Sequence, residues 1–346
     1  MTESKATTPR ILTLETTCDE TAAAVVTSGP KVLASVVASQ AELHEKFRGV
    51  VPEIAARAHV ERILPVIEET MKQAEMELHE LDAIAVANEP GLAGSLIVGL
   101  MAAKTLAVAL DKPLIAINHL HAHIYACQFD DPESIFPCVG LVVSGGHSHL
   151  YECESAFEFN LMGGTIDDAA GEAFDKVASM LGLPYPGGPA ISKVAVDGDA
   201  KSYQFPRSFI RDERLEFSFS GLKTAVRYAV AGTGAVDFSS LNLDEQTVAN
   251  VAASFQEAVV DCLVAKSFQA IEKSSHTTLC VGGGVAANRM LRSRLAEEAE
   301  RRGVRLCISR PEFCTDNAAM GAIALEKYAA GKFAYLELDI QPGLVR

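Results

Sequence analysis

The apolar positions fall into blocks of two different periods. Residues 11–16 (ILTLET) and 21–27 (TAAAVVT) are short apolar and β-branched runs separated by the polar turn 17–20 (TCDE), and another apolar run follows at 32–39. Runs of this length bounded by polar turns predict strands. From Val51 to about Met76, apolar residues recur at helical spacing and predict a helix. Next come a predicted strand at 82–87 (DAIAVA), a long helix at 92–110 and a short strand at 114–117. The stretch NHLHAHIYA and an irregular segment, FDDPESIFP, complete the first half.

The second half begins the same way. PCVGLVVSGGHSHLYECES reads as strand, polar turn, strand, with Ser144–Ser148 standing where Thr17–Glu20 stood. TLCVGGGVAANRMLRSRLAEEA reads as strand, glycine-rich turn, helix, as LDAIAVANEPGLAGSLIVGLM did. Two copies of hairpin-then-βα predict a duplicated α/β fold of two lobes beside a cleft, with the polar turns at the strand ends facing it. The expected division is a first lobe over 1–127 and a second over 128–324. Residues 163–230, rich in Gly, Pro and Phe, form a helix-and-loop insertion in the second lobe, and 325–346 is a segment able to pack back on the first.

Composition adjusts this picture in three places. Apolar residues make up 49% of the 346, enough for a sizeable core. The run 92–110 is long enough to span a bilayer, but Lys104 inside it would cost roughly 2.5–3.5 kcal/mol near a bilayer centre. Gly91, Gly94 and Gly99 suit close packing, so a buried helix of a soluble protein is expected, with no membrane partner. The eight cysteines are scattered with no C-x-x-C pair, which reads as reduced thiols and a cytoplasmic location. The N-terminal MTESKATTPR is a polar tail without the apolar core of a signal peptide. A net charge of −15 rules out a non-specific coat of nucleic acid, so any RNA contact needs a local basic surface. Residues 201–228 interleave Lys201, Arg207, Arg211, Arg214, Lys223 and Arg227 with Tyr203, Phe205, Phe209, Phe217, Phe219 and Tyr228. That pattern suits either RNA binding by charge and stacking or a solvated amphipathic segment whose Phe residues are core.

The candidate chemistry sits at the predicted strand ends. His119, His121 and His123 occupy alternate positions. On a strand all three share a face; on a helix only His119 and His123 do. They read either as metal ligands or as satisfied core histidines. In CTDNAAMGA, one of Thr315, Asp316 and Asn317 must cap a helix, and Asp316 is a carboxylate able to join two histidines around Fe(II) or Zn(II). Leu120 stands where a zinc-protease H-E-x-x-H helix carries its general base, which counts against a metallopeptidase. The Ser144-Gly145-Gly146 turn lets backbone N–H groups approach a phosphate, or is a plain hairpin turn. Gly282–Gly284 before a helix start suits a nucleotide, and Asn288 is either that helix's N-cap or a ligand contact.

From about residue 11 to 330 the chain resembles the bacterial tRNA N6-adenosine threonylcarbamoyltransferase family, relatives of the archaeal and eukaryotic KEOPS catalytic subunit. The resemblance is carried by LETTCDETAAAVV, GVVPEIAARAHVERI, NEPGLAGSLIVGL, NHLHAHIYA, LVVSGGHSHL, DDAAGEAFDKVASMLGLPYPGGP, FSFSGLKTAV, GGGVAANRMLR and CTDNAAMGA. It implies the actin/Hsp70/sugar-kinase fold of two RNase H-like lobes. It implies that His119, His123 and Asp316 hold one divalent metal, usually iron and sometimes zinc. It implies that Val142, Val143, Ser144, Gly145 and Gly146 cradle the substrate, and that Asp175, Gly188 and Asn288 contact its nucleotide portion. Asp19 is the implied candidate for proton handling. The implied donor is threonylcarbamoyl-AMP. The acceptor is the N6 amine of adenosine 37, next to the anticodon, in tRNAs reading codons that begin with A. The implied partners are an inactive paralogue and a small P-loop ATPase; the helix near 51–76, amphipathic with Val60, Ile63, Leu64 and Ile67, is the expected docking face for the paralogue. The family often has Thr where Ser148 stands and sometimes Asp where Ser192 stands, so a nucleotide contact from position 192 does not carry over. Two other readings are an ATPase or kinase of the same fold, lacking its Asp-Gly-Thr phosphate loop here, and a metal-dependent peptidase.

Overall fold

The computed structural model describes residues 8–47, 49–232, 238 and 241–343; residues 1–7 of the expected polar tail lie outside them. Two compact units emerge, Met1–Pro132 with Asp316–Val345, and Glu133–Thr315. The second boundary therefore falls before Asp316 rather than at the expected 324. The reason is local: the 3-10 turn Ala319–Ile323 packs on the first unit's strands, where Thr13 Oγ1 donates to Ala318 O at 2.6 Å.

The first unit is built on β1 (Arg10–Glu15), β2 (Glu20–Thr27), β3 (Lys31–Ser39), β4 (Ala83–Glu89) and β5 (Leu114–Asn118), in the sheet order β3-β2-β1-β4-β5. β1 pairs antiparallel with β2 and parallel with β4. The burial patterns follow from position: β1 and β4 are covered on both faces and almost wholly buried, whereas edge strand β3 alternates exposed with half-buried residues around a buried Ala34. The short helix α1 (Ala41–His44) is followed by α2 (Pro52–Gln73), which starts with Pro at its first position, and α3 (Ala93–Leu110). Ile63, Ile67 and Leu100 from these helices pack on Leu12, Val25 and Val86 of the sheet. α3 departs from the expected buried helix: only 33% of it is buried, and Ile97, Met101 and Val108 are exposed. Its glycines do pack closely; a Cβ on Gly99 would lie 2.4 Å from Thr16 Oγ1. α4 (His119–Tyr125) begins directly after β5, and α11 (Ala324–Ala329) belongs to the same unit.

The second unit repeats the plan with β6 (Cys138–Val143), β7 (Ser148–Ser155), β8 (Glu158–Gly164), β9 (Thr278–Gly282) and β10 (Arg305–Ile308). Its order β10-β9-β6-β7-β8 is the first sheet's order with each strand replaced by its counterpart, and the sense of each pairing is the same. The helices are α5 (Ala170–Met180), α6 (Gly187–Val194), α7 (Ser220–Ala231), α8 (Glu245–Ser274), α9 (Arg289–Arg302) and α10 (Pro311–Cys314). α8 is apolar and long enough to cross a membrane, yet 72% of its apolar 18-residue stretch is buried, and it carries the core of this unit against Phe174, Phe217 and Phe219. Asp244 caps its start, accepting from Thr247 N at 2.9 Å.

Candidate metal centre and glycine-turn site

The opening residues of α4 settle the periodicity of the histidines. Asn118 caps the helix through Oδ1, accepting from the N–H groups of Leu120 and His121, and so turns the chain out of β5. His119 and His123 then lie one turn apart, both buried, with ring centroids 4.7 Å apart. Their Nε2 atoms converge on Asp316 Oδ1 at 3.5 and 3.2 Å. Asn317 takes the capping duty, accepting from Met320 N at 3.0 Å, which leaves the Asp316 carboxylate to the histidines. His121 faces elsewhere, and burial followed by the charge of Lys327 lowers its pKa to about 3.

The trio fits a divalent cation. Ligand atoms held about 2.1 Å from a tetrahedral ion are about 3.4 Å apart; the two distances to Asp316 Oδ1 match this, and all three ligand atoms lie within 4.8 Å of one another. Behind His119, Nδ1 lies 3.0 Å from Glu15 Oε2 and 3.2 Å from Thr17 Oγ1. A carboxylate on the far nitrogen fixes the ring and raises its basicity as a ligand. Burial alone would lower the His119 pKa, but Glu15 and Asp316 reverse this and carry it to about 9. The neighbouring turn adds negative charge: burial, then Asp316 and Asp19, raise Glu20 to about 10. Burial and the same two aspartates push the Cys18 thiol well above its usual range. An acidic cluster this buried is stabilised by a proton or by a cation. Glu15 and Glu20 escaped the sequence reading because each stands at a strand end, where a carboxylate looks like an ordinary solvated boundary. Asp19 sits between β1 and β2 in this same turn. Leu120, at the peptidase base position, is fully buried.

In the second unit the Val142–Gly146 stretch closes the β6–β7 hairpin, with Ser144 N donating to His147 O at 2.8 Å. Gly171 N near the start of α5 donates to Ser144 O at 3.1 Å, and Ser148 Oγ accepts from Ala170 N at 2.9 Å. Gly283 has φ +94 and passes so close to Val143 that a Cβ there would lie 2.4 Å from its carbonyl oxygen. Asp175 Oδ1 accepts from Gly187 N at 2.7 Å, tying α5 to the first turn of α6, which holds Gly188. Asn288 is the N-cap of α9 and also the hub of a side-chain network. Its Oδ1 caps α9, accepting from Leu291 N at 3.0 Å, and its Nδ2 donates to Ser192 Oγ at 3.0 Å and to Gln256 Oε1 at 2.7 Å. Ser192 is thus part of the Asn288 network. The proposed site residues therefore divide: Asp19, His119, His123 and Asp316 lie in the first unit, and Val142–Gly146, Asp175, Gly188 and Asn288 in the second.

The basic and aromatic stretch 201–228 resolves differently. Phe205, Phe217 and Phe219 are 6%, 1% and 1% exposed, so they are core and not stacking platforms. Arg207 is bound to Asp261 at 3.1 Å and Glu257 at 3.3 Å, and Arg214 to Asp212 at 2.6 Å and Glu216 at 3.2 Å. The fully buried Lys266 on α8 fixes the loop by donating to Asp212 O and Arg214 O at 2.6 Å each and to Gln269 Oε1 at 2.8 Å.

The model of one family, tRNA N6-adenosine threonylcarbamoyltransferase, matches residues 31–323. The protein of that name from Rhodopirellula baltica is 56% identical over 97% of both chains. Those from Symbiobacterium thermophilum and Moorella thermoacetica are 50% and 46% identical over 96% and 99% of both. Among solved structures, full-length HypF in its phosphate- and nucleotide-bound form aligns with 94% of this chain at TM-score 0.60 and 14% identity, over 47% of its own length. The (R)-2-hydroxyglutaryl-CoA dehydratase component A of Acidaminococcus fermentans aligns over 93% of this chain and 99% of its own at TM-score 0.52 and 16% identity. Both are similar in fold, as expected for the duplicated α/β architecture of the actin/Hsp70/sugar-kinase class. Matched over nearly its whole length by relatives of one name and by that family's model, the chain belongs to the tRNA N6-adenosine threonylcarbamoyltransferase family.

Proposed function

We propose that the chain transfers the threonylcarbamoyl group of threonylcarbamoyl-AMP to the N6 amine of adenosine 37 in tRNAs reading codons that begin with A, releasing AMP. The observation that carries this is full-length identity to transferases of that name. The convergence of His119, His123 and Asp316 on one point supports it. The N6 nitrogen attacks the carbamoyl carbonyl carbon, the carbon–oxygen bond to the phosphate breaks, and the amine proton leaves to the Asp19 carboxylate. His119, His123 and Asp316 hold one divalent ion, Fe(II) in preference to Zn(II), whose chemistry when bound is that of a Lewis acid toward the carbonyl oxygen. Backbone N–H groups of Val142–Gly146 hold the leaving phosphate. Asp175, Gly188 and Asn288 position the nucleoside. Acyl transfer from a mixed anhydride needs no protein nucleophile, so alignment and charge stabilisation suffice.

An inactive paralogue docks on the outer face of the first unit, where Val60 and Leu64 of α2 are 64% and 62% exposed. Ile97, Met101 and Val108 extend the apolar surface along α3, which packs on α2. A small P-loop ATPase is the second partner. The location is cytoplasmic; all eight cysteines are free thiols, as suits a reducing compartment. The test is to supply threonylcarbamoyl-AMP, unmodified tRNA and both partners and to analyse digested tRNA by mass spectrometry. Threonylcarbamoyladenosine with an equivalent of AMP is expected. No modified nucleoside under those conditions refutes the reading, and peptide cleavage lost on removing both His119 and His123 would replace it with a peptidase.

A further inference from the structure

A buried polar chain lies behind the Cys18–Asp19 turn, and the reaction proposed above makes no use of it. His59 of α2 is fully buried, as are Thr21, Gln40 and His44. Its Nε2 lies 3.0 Å from Cys18 O, and its Nδ1 lies 2.8 Å from Thr21 Oγ1 and 3.4 Å from Gln40 Nε2. The Cys18 carbonyl accepts only, so Nε2 carries the hydrogen; the Gln40 amide nitrogen donates only, so Nδ1 accepts from it and from the Thr21 hydroxyl. The ring is therefore neutral, in agreement with burial, which lowers its pKa. Ser95 Oγ makes a second hydrogen bond to the same Cys18 carbonyl at 3.2 Å, and the next carbonyl, that of Asp19, accepts from Gln40 N at 3.1 Å. Beyond Gln40 the chain continues: Gln40 Oε1 lies 3.4 Å from His44 Nε2, and His44 Nδ1 accepts from Val51 N at 3.3 Å.

A side chain that only filled space here would be apolar. A buried imidazole is costly unless both nitrogens are paired, and these two are paired to opposite sides of one turn: Cys18 before Asp19, and Thr21 after Glu20. The bonds fix the peptide on either side of the two carboxylates while leaving those carboxylates unengaged by the ring.

We infer that His59 is a positioning residue: a neutral double-ended strut, seated by Thr21 and Gln40, that fixes the direction in which the Asp19 turn presents its carboxylate to the reacting amine. This rests on the transfer reaction proposed above and on the role given there to Asp19. A strut acts on the reacting geometry and not on substrate affinity or on the metal, and that is what separates it from a general structural role.

The experiment uses the full chain with its partners. His59→Leu, His59→Gln, Thr21→Val and Asp19→Asn are compared in single-turnover transfer, in tRNA and AMP affinity, in metal content and in thermal unfolding. His59→Leu should keep one metal per chain and both affinities within twofold while the transfer rate falls ten- to hundredfold. His59→Gln retains a donor toward Cys18 O and should recover several-fold of that loss. Thr21→Val removes only the hydroxyl that seats the ring, and should slow transfer three- to tenfold; it carries the test if His59→Leu does not fold. A rate within twofold of wild type for both His59→Leu and Thr21→Val, while Asp19→Asn is slow, overturns the strut and leaves the proposed reaction standing. A rate loss matched by an equal loss of metal or of affinity also overturns it. Absence of product from the wild type, or full activity of Asp19→Asn, overturns the reading of the site itself and the strut with it.

Discussion

Replacing Gly171 by Ala separates the binding role of the Ser-Gly-Gly turn from its role in the fold. A Cβ at Gly171 would lie 2.6 Å from Ser144 O and 2.8 Å from both Gly145 Cα and Gly145 N. All three are backbone atoms, so no rotamer change relieves the contact. Restoring an ordinary 3.4 Å contact requires the turn to retreat from α5 by about 0.8 Å, and overpacking of this kind costs roughly 1–3 kcal/mol. Alanine returns about 1 kcal/mol of helix propensity within α5, so the variant stays folded with a net loss of roughly 0–2 kcal/mol. A retreat of that size stretches a normal N–H···O contact beyond hydrogen-bonding reach. Losing one or two bonds to an anion, at roughly 1.5–3 kcal/mol each, lowers affinity for AMP by about a hundredfold, or ~2.7 kcal/mol. Titration calorimetry with AMP reads this directly, with metal content and thermal unfolding measured on the same samples. Gly188→Ala is the control for fold: it lies in α6 and its Cβ meets nothing within 4 Å, so its unfolding temperature should not fall. If Gly171→Ala unfolds earlier but binds AMP within threefold of wild type, the turn is not the phosphate cradle.

Three further outcomes follow from the site. His119→Ala, His123→Ala and Asp316→Ala should each lose most of the bound metal, His121→Gln should keep it, and Glu15→Gln should weaken metal binding about 10–100-fold by removing the carboxylate behind His119; elemental analysis against competing chelators decides. The lowered pKa of His121, about 3 against an unfolded 6.5, sets the sign of an acid effect. Below pH 6.5 the unfolded chain takes up a proton that the folded chain refuses. This group therefore destabilises increasingly as pH falls from 6.5 toward 3, by up to about 1.4 kcal/mol per unit. Denaturant titrations of wild type and His121→Gln across pH 4–7 should show the variant losing less stability; parallel curves refute the assignment. Met101→Glu, on the exposed face of α3, should abolish association with the paralogue in sedimentation without changing AMP affinity.

Much of the plan was legible because the strands near the sheet centres are apolar runs bounded by polar turns, and because the hairpin-then-βα order occurs twice. β8 and β10 were not read: Glu158–Gly164 is an exposed edge whose residues barely alternate, and Arg305–Ile308 has four half-buried residues and no period to detect. His119, His123 and Asp316 were legible as a set because a helical i, i+4 pair and an unassigned carboxylate are local signals. Glu15 was not, since its role depends on a histidine 104 residues away. The aromatics at 205, 217 and 219 left two readings open in the sequence, and the structure selects the one in which the Phe residues are core: they alternate with charge, but Arg207 and Arg214 are neutralised at Asp261, Asp212 and neighbouring carboxylates while the rings turn into the core. The three-residue choice at Thr315–Asn317 needed geometry, because all three residues are good caps.

The third metal ligand also sets an order in time. Asp316 lies 193 residues beyond His123, and the whole of the second unit is encoded between them. During synthesis His119 and His123 emerge early, as a bare pair on a short helix beside an acidic turn. The strands β1, β2, β4 and β5 can assemble then, but the turn at Ala319–Ile323 that packs on them arrives only after the second unit has been made. A nascent or C-terminally truncated chain is therefore a two-histidine chelator with weak hold on any ion. Bringing Asp316 to the two histidines closes a very long loop, at a cost that grows only with the logarithm of its length. A three-residue site at this position therefore forms only after the chain has been made past Asp316, however well the first sheet has already assembled.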